Sequence, residues 1–316
     1  PQARARYEAA LPIYREIGAR LGEANCIKRL GDVHVRLSEL PQARARYEAA
    51  LPIYREIGDR LGEANTYTGL GDLALAEEQY PAAKEWYEKA WAIYEAIGER
   101  HWRTYIASYL ATVYLNLNEV ERAGQVLDEG AALSRAIAGQ PNLSSIAWGF
   151  NDLGNMFDEK GDWAEATVAY TAAIDTDKVE AVFYRNRASA LISLNRLEEA
   201  QADCEMASQL AADHAYTHGR WGDLHLARGE WLAAERRYRQ AMAQSHDPGD
   251  WRFDLAVALW GQGITAEGWA EFEAALPLAD AEKVKTMVRE YGRMHTLFPS
   301  LSPLAEALAR LQSVAA

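Results

Sequence analysis

Histidines, cysteines and paired acids are the side chains whose spacing could support chemistry in this chain of 316 residues. His214, His218 and His225 stand four and seven residues apart, which on a helix brings them near one face. Histidines so placed can bind a metal, but a site also needs further ligands and the hydrogen bonds that orient them. The same spacing serves histidines that pack in a core, so no metal is expected. Cys26 and Cys204 are the only two thiols; they lie far apart, and no base stands beside Cys204 to activate it. Acid pairs such as Glu77-Glu78 and Glu198-Glu199 fit solvated helix faces better than a catalytic dyad. No glycine-rich phosphate loop, GxSxG or HExxH is present. The residues therefore predict no enzyme and no cofactor.

Binding remains, and the elements that would position binding residues are repeated. Pro41 to Asn65, PQARARYEAALPIYREIGDRLGEAN, copies Pro1 to Asn25 with a single difference, Ala19 against Asp59. A fixed period of this kind signals stacked supersecondary units. Ile27, Leu30, His34 and Leu37 follow the spacing of one helical face. Pro41 suits a first helical turn. Ala43, Tyr47, Ala50, Leu51 and Tyr54 then form the stripe of a second helix, with Gly58 as its stop. Leu30-Gly31 with Ala43, Tyr47 and Ala50 recurs as Leu70-Gly71 with Ala83, Tyr87 and Ala90, and again as Leu153-Gly154 with Ala166, Tyr170 and Ala173. Small residues let two helix backbones approach, and an aromatic ring fills the space beside them.

With these motifs the chain resembles the tetratricopeptide repeat family over nearly its whole length. The resemblance implies an all-α fold: a right-handed solenoid of about seven helical hairpins with C-terminal capping helices. His34, His218 and His225, and Cys204 in place of a tyrosine, would fall on the family's packing positions. Three segments are expected: 1–140 with forty-residue repeats, 141–280 with repeats of about thirty-four, and capping helices over 281–316. Longer second helices are expected to account for the longer period. Gln140 and Pro141 would mark the turn where the pitch changes.

In that family the first helices line the concave face. The positions between their packing residues include Lys28, Arg29, Asn65, Asp72 and Asp250, and a candidate ligand surface of Tyr105, Tyr109, Trp148, Asn151, Asn155, Arg185, Asn186, Tyr216 and Arg220. Tyr, Trp, Asn and Arg combine apolar area with directed hydrogen bonds, as in binding hot spots. A protein or peptide ligand is the expectation. Tyr184-Arg185-Asn186-Arg187-Ala188 also resembles part of a chaperone-type domain that grips a C-terminal carboxylate. Asn155, Asn186 and Arg220 match three of five clamp positions, while Asn151 and Tyr216 stand where that clamp has lysines.

The net charge of −13 disfavours nucleic acid and anionic membrane surfaces as partners. Two isolated cysteines fit a reducing, cytoplasmic setting. No apolar run is long enough for a membrane span and no leader is visible. The wording ALPIYREIGDRLGEAN is similar to long-repeat arrays of bacterial signalling ATPases and regulators. That implies an interaction scaffold or sensor with an effector region and further repeats upstream. An open N-terminal repeat edge could also support self-association in a structural role.

Overall fold

The computed structural model describes residues 2–137, 139, 142–245 and 251–315. The described residues form seventeen α-helices and no strand. They divide into two compact units, Pro1–Met156 and Phe157–Ala316. The first holds α1 (Gln2–Glu16), α2 (Arg20–Arg36), α3 (Leu40–Ile57), α4 (Arg60–Ala76), α5 (Tyr80–Ala96), α6 (Arg100–Asn116), α7 (Val120–Arg135) and most of α8 (Leu143–Lys160). The second continues with α9 (Trp163–Thr176), α10 (Ala181–Ser193), α11 (Leu197–Leu210), α12 (Ala215–Ala227), α13 (Trp231–Gln244), α14 (Arg252–Gly261) and α15 (Thr265–Ala275). A 3-10 turn, Leu276–Leu278, leads to α16 (Ala281–Leu297) and α17 (Ser302–Ala315).

Three hairpins, α2–α3, α4–α5 and α12–α13, close on a glycine–tyrosine pair at one sequence offset. A Cβ at Gly31 would lie 2.6 Å from Tyr47, one at Gly71 2.7 Å from Tyr87, and one at Gly222 2.5 Å from Tyr238. No side chain fits there, so the ring lies directly on the first helix. The tyrosine hydroxyl then donates to the aspartate that follows the glycine: Tyr47 to Asp32 at 2.9 Å, Tyr87 to Asp72 at 2.7 Å, Tyr238 to Asp223 at 2.9 Å. One geometry thus satisfies a buried hydroxyl and joins the two arms.

The turn inside each hairpin needs one residue in the left-handed region. Ser38, Glu78, Asn118 and Asn195 hold it at φ of 56° to 59°, and Gly161, Gly229 and Gly263 hold it in the other hairpins. Between hairpins, Gly58 ends α3 at φ 73°, as the sequence predicts, with Pro41 in the first turn of α3. Pro52 sits inside α3, and it is exposed, so water can serve the carbonyl its missing N–H leaves open.

The longer repeats differ from expectation in where the extra chain goes. Second helices do shorten, from 18 residues in α3 and 17 in α5 to 14 in α9, α11 and α13. First helices shorten with them, from 17 in α2, α4 and α6 to 13 in α10 and α12. The arms of a hairpin bury their stripes on each other, so lengthening one alone would strand apolar surface. The turn expected at Gln140 and Pro141, and the inner position Asp250, lie outside the described residues.

At the C-terminal end of the repeats, α16 contributes to the core. It buries Val284, Met287, Tyr291 and Met294, and α17 buries Leu304, Ala307 and Leu311. These side chains join one core cluster with α12, α13, α14 and α15.

Candidate functional site

In the first unit, the first helices α2, α4 and α6 present a face whose floor is made by second-helix tyrosines. Tyr87 and Tyr94 are fully buried. Tyr94 donates to Asn65 Oδ1 at 2.8 Å and lies 3.0 Å from the Thr68 hydroxyl. Tyr54 makes the same bond to Asn25 one repeat earlier, also at 2.8 Å. Above this floor α6 carries Trp102, Tyr105 and Tyr109 at i, i+3 and i+7, one face of the helix. The rings form a continuous row: Trp102 meets Tyr105 edge-on at 5.5 Å, and Tyr105 lies tilted against Tyr109 at 5.2 Å between centroids. Trp102 stacks on Tyr94 at 6.5 Å and Tyr109 on Tyr87 at 6.4 Å, so the buried rings hold the accessible ones.

Across from the rings, Lys28 reaches Asp32 at 3.1 Å and Arg29 reaches it at 3.3 Å. Lys28, Arg29, Asn65, Asp72, Trp102 and Tyr105 line a cavity of about 180 Å³. Burial pushes the Asp72 carboxyl above its ordinary range, against the pull of the Tyr87 hydroxyl and the Lys28 charge. Burial, then the Asp72 charge, pushes the Tyr105 hydroxyl up, so it stays a hydrogen-bond donor. The face combines aromatic area, donors and a cation pair.

Tyr105 and Tyr109 are thus brought together as a surface, with Tyr109 37% exposed. Trp148 on α8 is accessible at 41%. Asn155 is half-buried on the same helix. Asn151, expected at an accessible position, is buried at 3% and belongs to the interior of the repeat. Its register falls on the packing side of α8, beside Phe150 and Gly154. Trp102 was not among the expected residues. Its spacing from Tyr105 and Tyr109 was the available signal, but it stands a turn before the packing signature from which the face is counted.

In the second unit, Tyr216 and Arg220 face a cavity of about 310 Å³. Tyr216 meets Trp251 edge-on at 5.3 Å. Arg220 Nη1 donates to Asp223 at 2.7 Å and to Ser189 at 2.8 Å. Arg185 and Asn186 are half-buried on α10 and do not line that cavity. Burial and the Arg220 charge push the Arg185 guanidinium down. The opposite wall of the cavity is α16, through Lys283, Met287, Arg289, Glu290 and Met294.

The histidines are held by separate partners. His34 is buried with Nδ1 2.5 Å from Glu39, His225 lies 2.5 Å from Glu230, and His218 3.3 Å from Arg237. His214 caps α12, its Nδ1 accepting from the Tyr216 N–H at 3.3 Å. Burial pushes the Cys204 thiol up to about 12, that of a packing residue. No helix among the described residues is long and apolar enough to cross a membrane.

The tetratricopeptide repeat family model matches residues 1–56 and 25–96. Human DnaJ homolog subfamily C member 7 is 36% identical over 97 residues, covering 31% of this chain and 20% of that protein. The Hsp70-Hsp90 organizing protein of Triticum aestivum is 33% identical over 90 residues, 28% of this chain and 16% of its own length. The chain therefore matches about a fifth or less of these relatives. Among solved structures, a tetratricopeptide repeat protein from Parabacteroides merdae superposes with a TM-score of 0.55 at 13% identity, over 79% of this chain and 98% of its own. Residues 1–96 match the tetratricopeptide repeat family model, and the helical hairpins that continue through α15 share the tetratricopeptide repeat fold.

Proposed function

We propose that the first unit binds a protein or peptide segment on the face of α2, α4 and α6. The row of Trp102, Tyr105 and Tyr109 beside Lys28 and Arg29 carries this reading. Rings fixed by buried neighbours offer apolar area at little entropic cost, and Asn and Arg beside them give direction. Such a surface suits an interaction scaffold or sensor. The similarity of its repeats to bacterial signalling arrays supports reading it as the recognition segment of a larger cytoplasmic regulator. Its acidic charge supports a protein partner over nucleic acid or a membrane. Trp148, Asn155, Arg185 and Asn186 would extend the binding surface within their own units.

The test is selection of peptides from a random display library against the whole chain, followed by calorimetry with Tyr105→Ala and Tyr109→Ala together. Losing two aromatic anchors predicts at least a tenfold weaker affinity, since hot-spot truncations cost about 2 kcal/mol or more. Peptides that bind the double variant as they bind the wild type would overturn the assignment.

A second reading has a specific observation behind it: the similarity to the wheat organizing protein, together with Asn155, Asn186 and Arg220. A terminal carboxylate reaching Arg220 would compete with Asp223 and Ser189, which already take its Nη1. Loss of binding for a peptide ending in a carboxamide would select this reading over the first. Self-association at the α1 edge, where Ile13 and Ile17 are exposed, is a third role, and light scattering across concentration tests it.

A further inference from the structure

The first-helix face of the second unit is occupied by the chain's own α16. Tyr291 Oη donates to the Phe253 carbonyl at 2.7 Å, at the α14 end of the seat. At the other end Arg289 Nη1 donates to the carbonyls of Glu159 at 2.9 Å and Asp158 at 3.3 Å, in the last turn of α8. Val284, Met287 and Met294 are each 4% exposed or less. The contacts fall at i, i+3, i+7 and i+10, the pattern by which an amphipathic helix enters a groove.

The seat is unlike the seams between hairpin arms. Where α12 meets α13, Tyr238 is fully buried on Gly222 with no room for a Cβ. Beneath α16 the cavity of about 310 Å³ remains, with Asp223 and Asp254 on its wall. Arg220 and Arg289 line it too, and their Nε atoms are buried without a hydrogen-bond partner. Voids and unpaired polar atoms weaken packing. An element meant to stay would be selected for a tighter fit, whereas a removable one leaves polar groups that water can serve once it departs.

We propose that α16 is a resident, displaceable ligand, and that the second unit's partner is an amphipathic helix of the same pattern, with a Val, Met, Tyr, Met stripe and an arginine beside the tyrosine. α16 and α17 pack as a hairpin joined to α15 through Leu276–Asp280, which gives the hinge. A competing helix must overcome the local concentration of the tethered one, so the free face is exposed only in the fraction of molecules where α16 has left. This assignment is independent of the first unit's aromatic face.

The experiment uses the whole chain and a labelled synthetic peptide with the sequence of residues 281–297. Arg289→Ala with Tyr291→Phe removes the hydrogen bonds at both ends and keeps the ring. Hydrogen exchange of α16 should become at least tenfold faster while α12 and α13 stay unchanged, which also shows that the unit is folded. The peptide should bind this variant at least tenfold more tightly than the wild type. It should bind equally when Tyr105→Ala is added, and not at all when the peptide itself carries Tyr291→Ala. Should the double variant unfold, Met287→Glu replaces it with the same expectations. An α16 that stays as protected as α12, or one that opens without the peptide taking its seat, overturns the proposal.

Discussion

Replacing Tyr87 by phenylalanine isolates the bond that ties a second helix to the first-helix face. Tyr87 is fully buried and donates to Asp72 Oδ1 at 2.7 Å. Burial raises the Asp72 carboxyl above its ordinary range, while the Tyr87 hydroxyl and Lys28 pull it down. Without the hydroxyl, an ionised Asp72 keeps its burial and loses a charge-assisted donor, a loss of about 1.5–3 kcal/mol. The folded pKa of Asp72 lies above its unfolded value, so folding takes up a proton between the two and stability falls as pH rises through the folded value. Tyr87→Phe raises that folded value further. The added loss is therefore present at pH 7 and shrinks at pH 3.5, where Asp72 is protonated and only a neutral bond of about 0.5–1.5 kcal/mol is removed. Hydrogen exchange in α4 and α5 is the suitable assay, because stacked repeats need not unfold as one unit. Protection should drop roughly tenfold to a hundredfold at pH 7, and roughly threefold to tenfold at pH 3.5. An unchanged protection, or a loss no smaller at pH 3.5, would refute the electrostatic reading of the pair.

Other consequences follow from the same structure. Glu78 holds a left-handed turn at φ 56°, so Glu78→Gly should stabilise the first unit by about 0.5–1 kcal/mol, read as a higher urea midpoint, the relief of strain exceeding glycine's entropy. Gly71→Ala should instead destabilise by about 1–2 kcal/mol in the same titration despite alanine's better helix propensity, because its Cβ would lie 2.7 Å from the buried Tyr87 ring. Burial, then the Asp223 charge, pushes Asp254 up to about 7, with Arg220 on α12 and Lys283 and Glu290 on α16 also facing it. Departure of α16 would hydrate Asp254 and lower its pKa, so seating takes up a proton: from pH 6 to 8 the protection factor of α16 should fall, by up to about tenfold per unit above 7, and Asp254→Asn should abolish the trend.

Much of this was legible because repeats state their packing several times over. Tyr47, Tyr87 and Tyr238 stand at one offset from Gly31, Gly71 and Gly222, and the recurrence alone identifies a contact between arms. Gly58 gave a helix stop for the same reason. Tyr105 and Tyr109 were readable as a surface because the packing register assigns the positions between. Asn151 was not: the position three before the repeat glycine was counted as accessible, but it is buried in α8 as Thr68 is in α4. The shared lengthening of both arms was also hidden, because a period counts residues and does not say which arm receives them.

The seat of α16 shows the limit of local reading most clearly. Val284, Met287, Tyr291 and Met294 follow helical spacing, so an apolar stripe was visible. The charges around them made a solvated cap the natural expectation. Where α16 lies also depends on residues 130 positions away, where Arg289 finds carbonyls in the last turn of α8, and no periodicity encodes that distance. The two first-helix faces then differ for a physical reason. The first unit lines its face with rings already satisfied by buried neighbours, which can wait in water at little cost. The second lines it with Arg220, Asp223 and Asp254, groups that need hydration or a partner. A tethered helix that shields them imperfectly holds the face closed while leaving it open to exchange, and a fully apolar seat would have fixed it permanently.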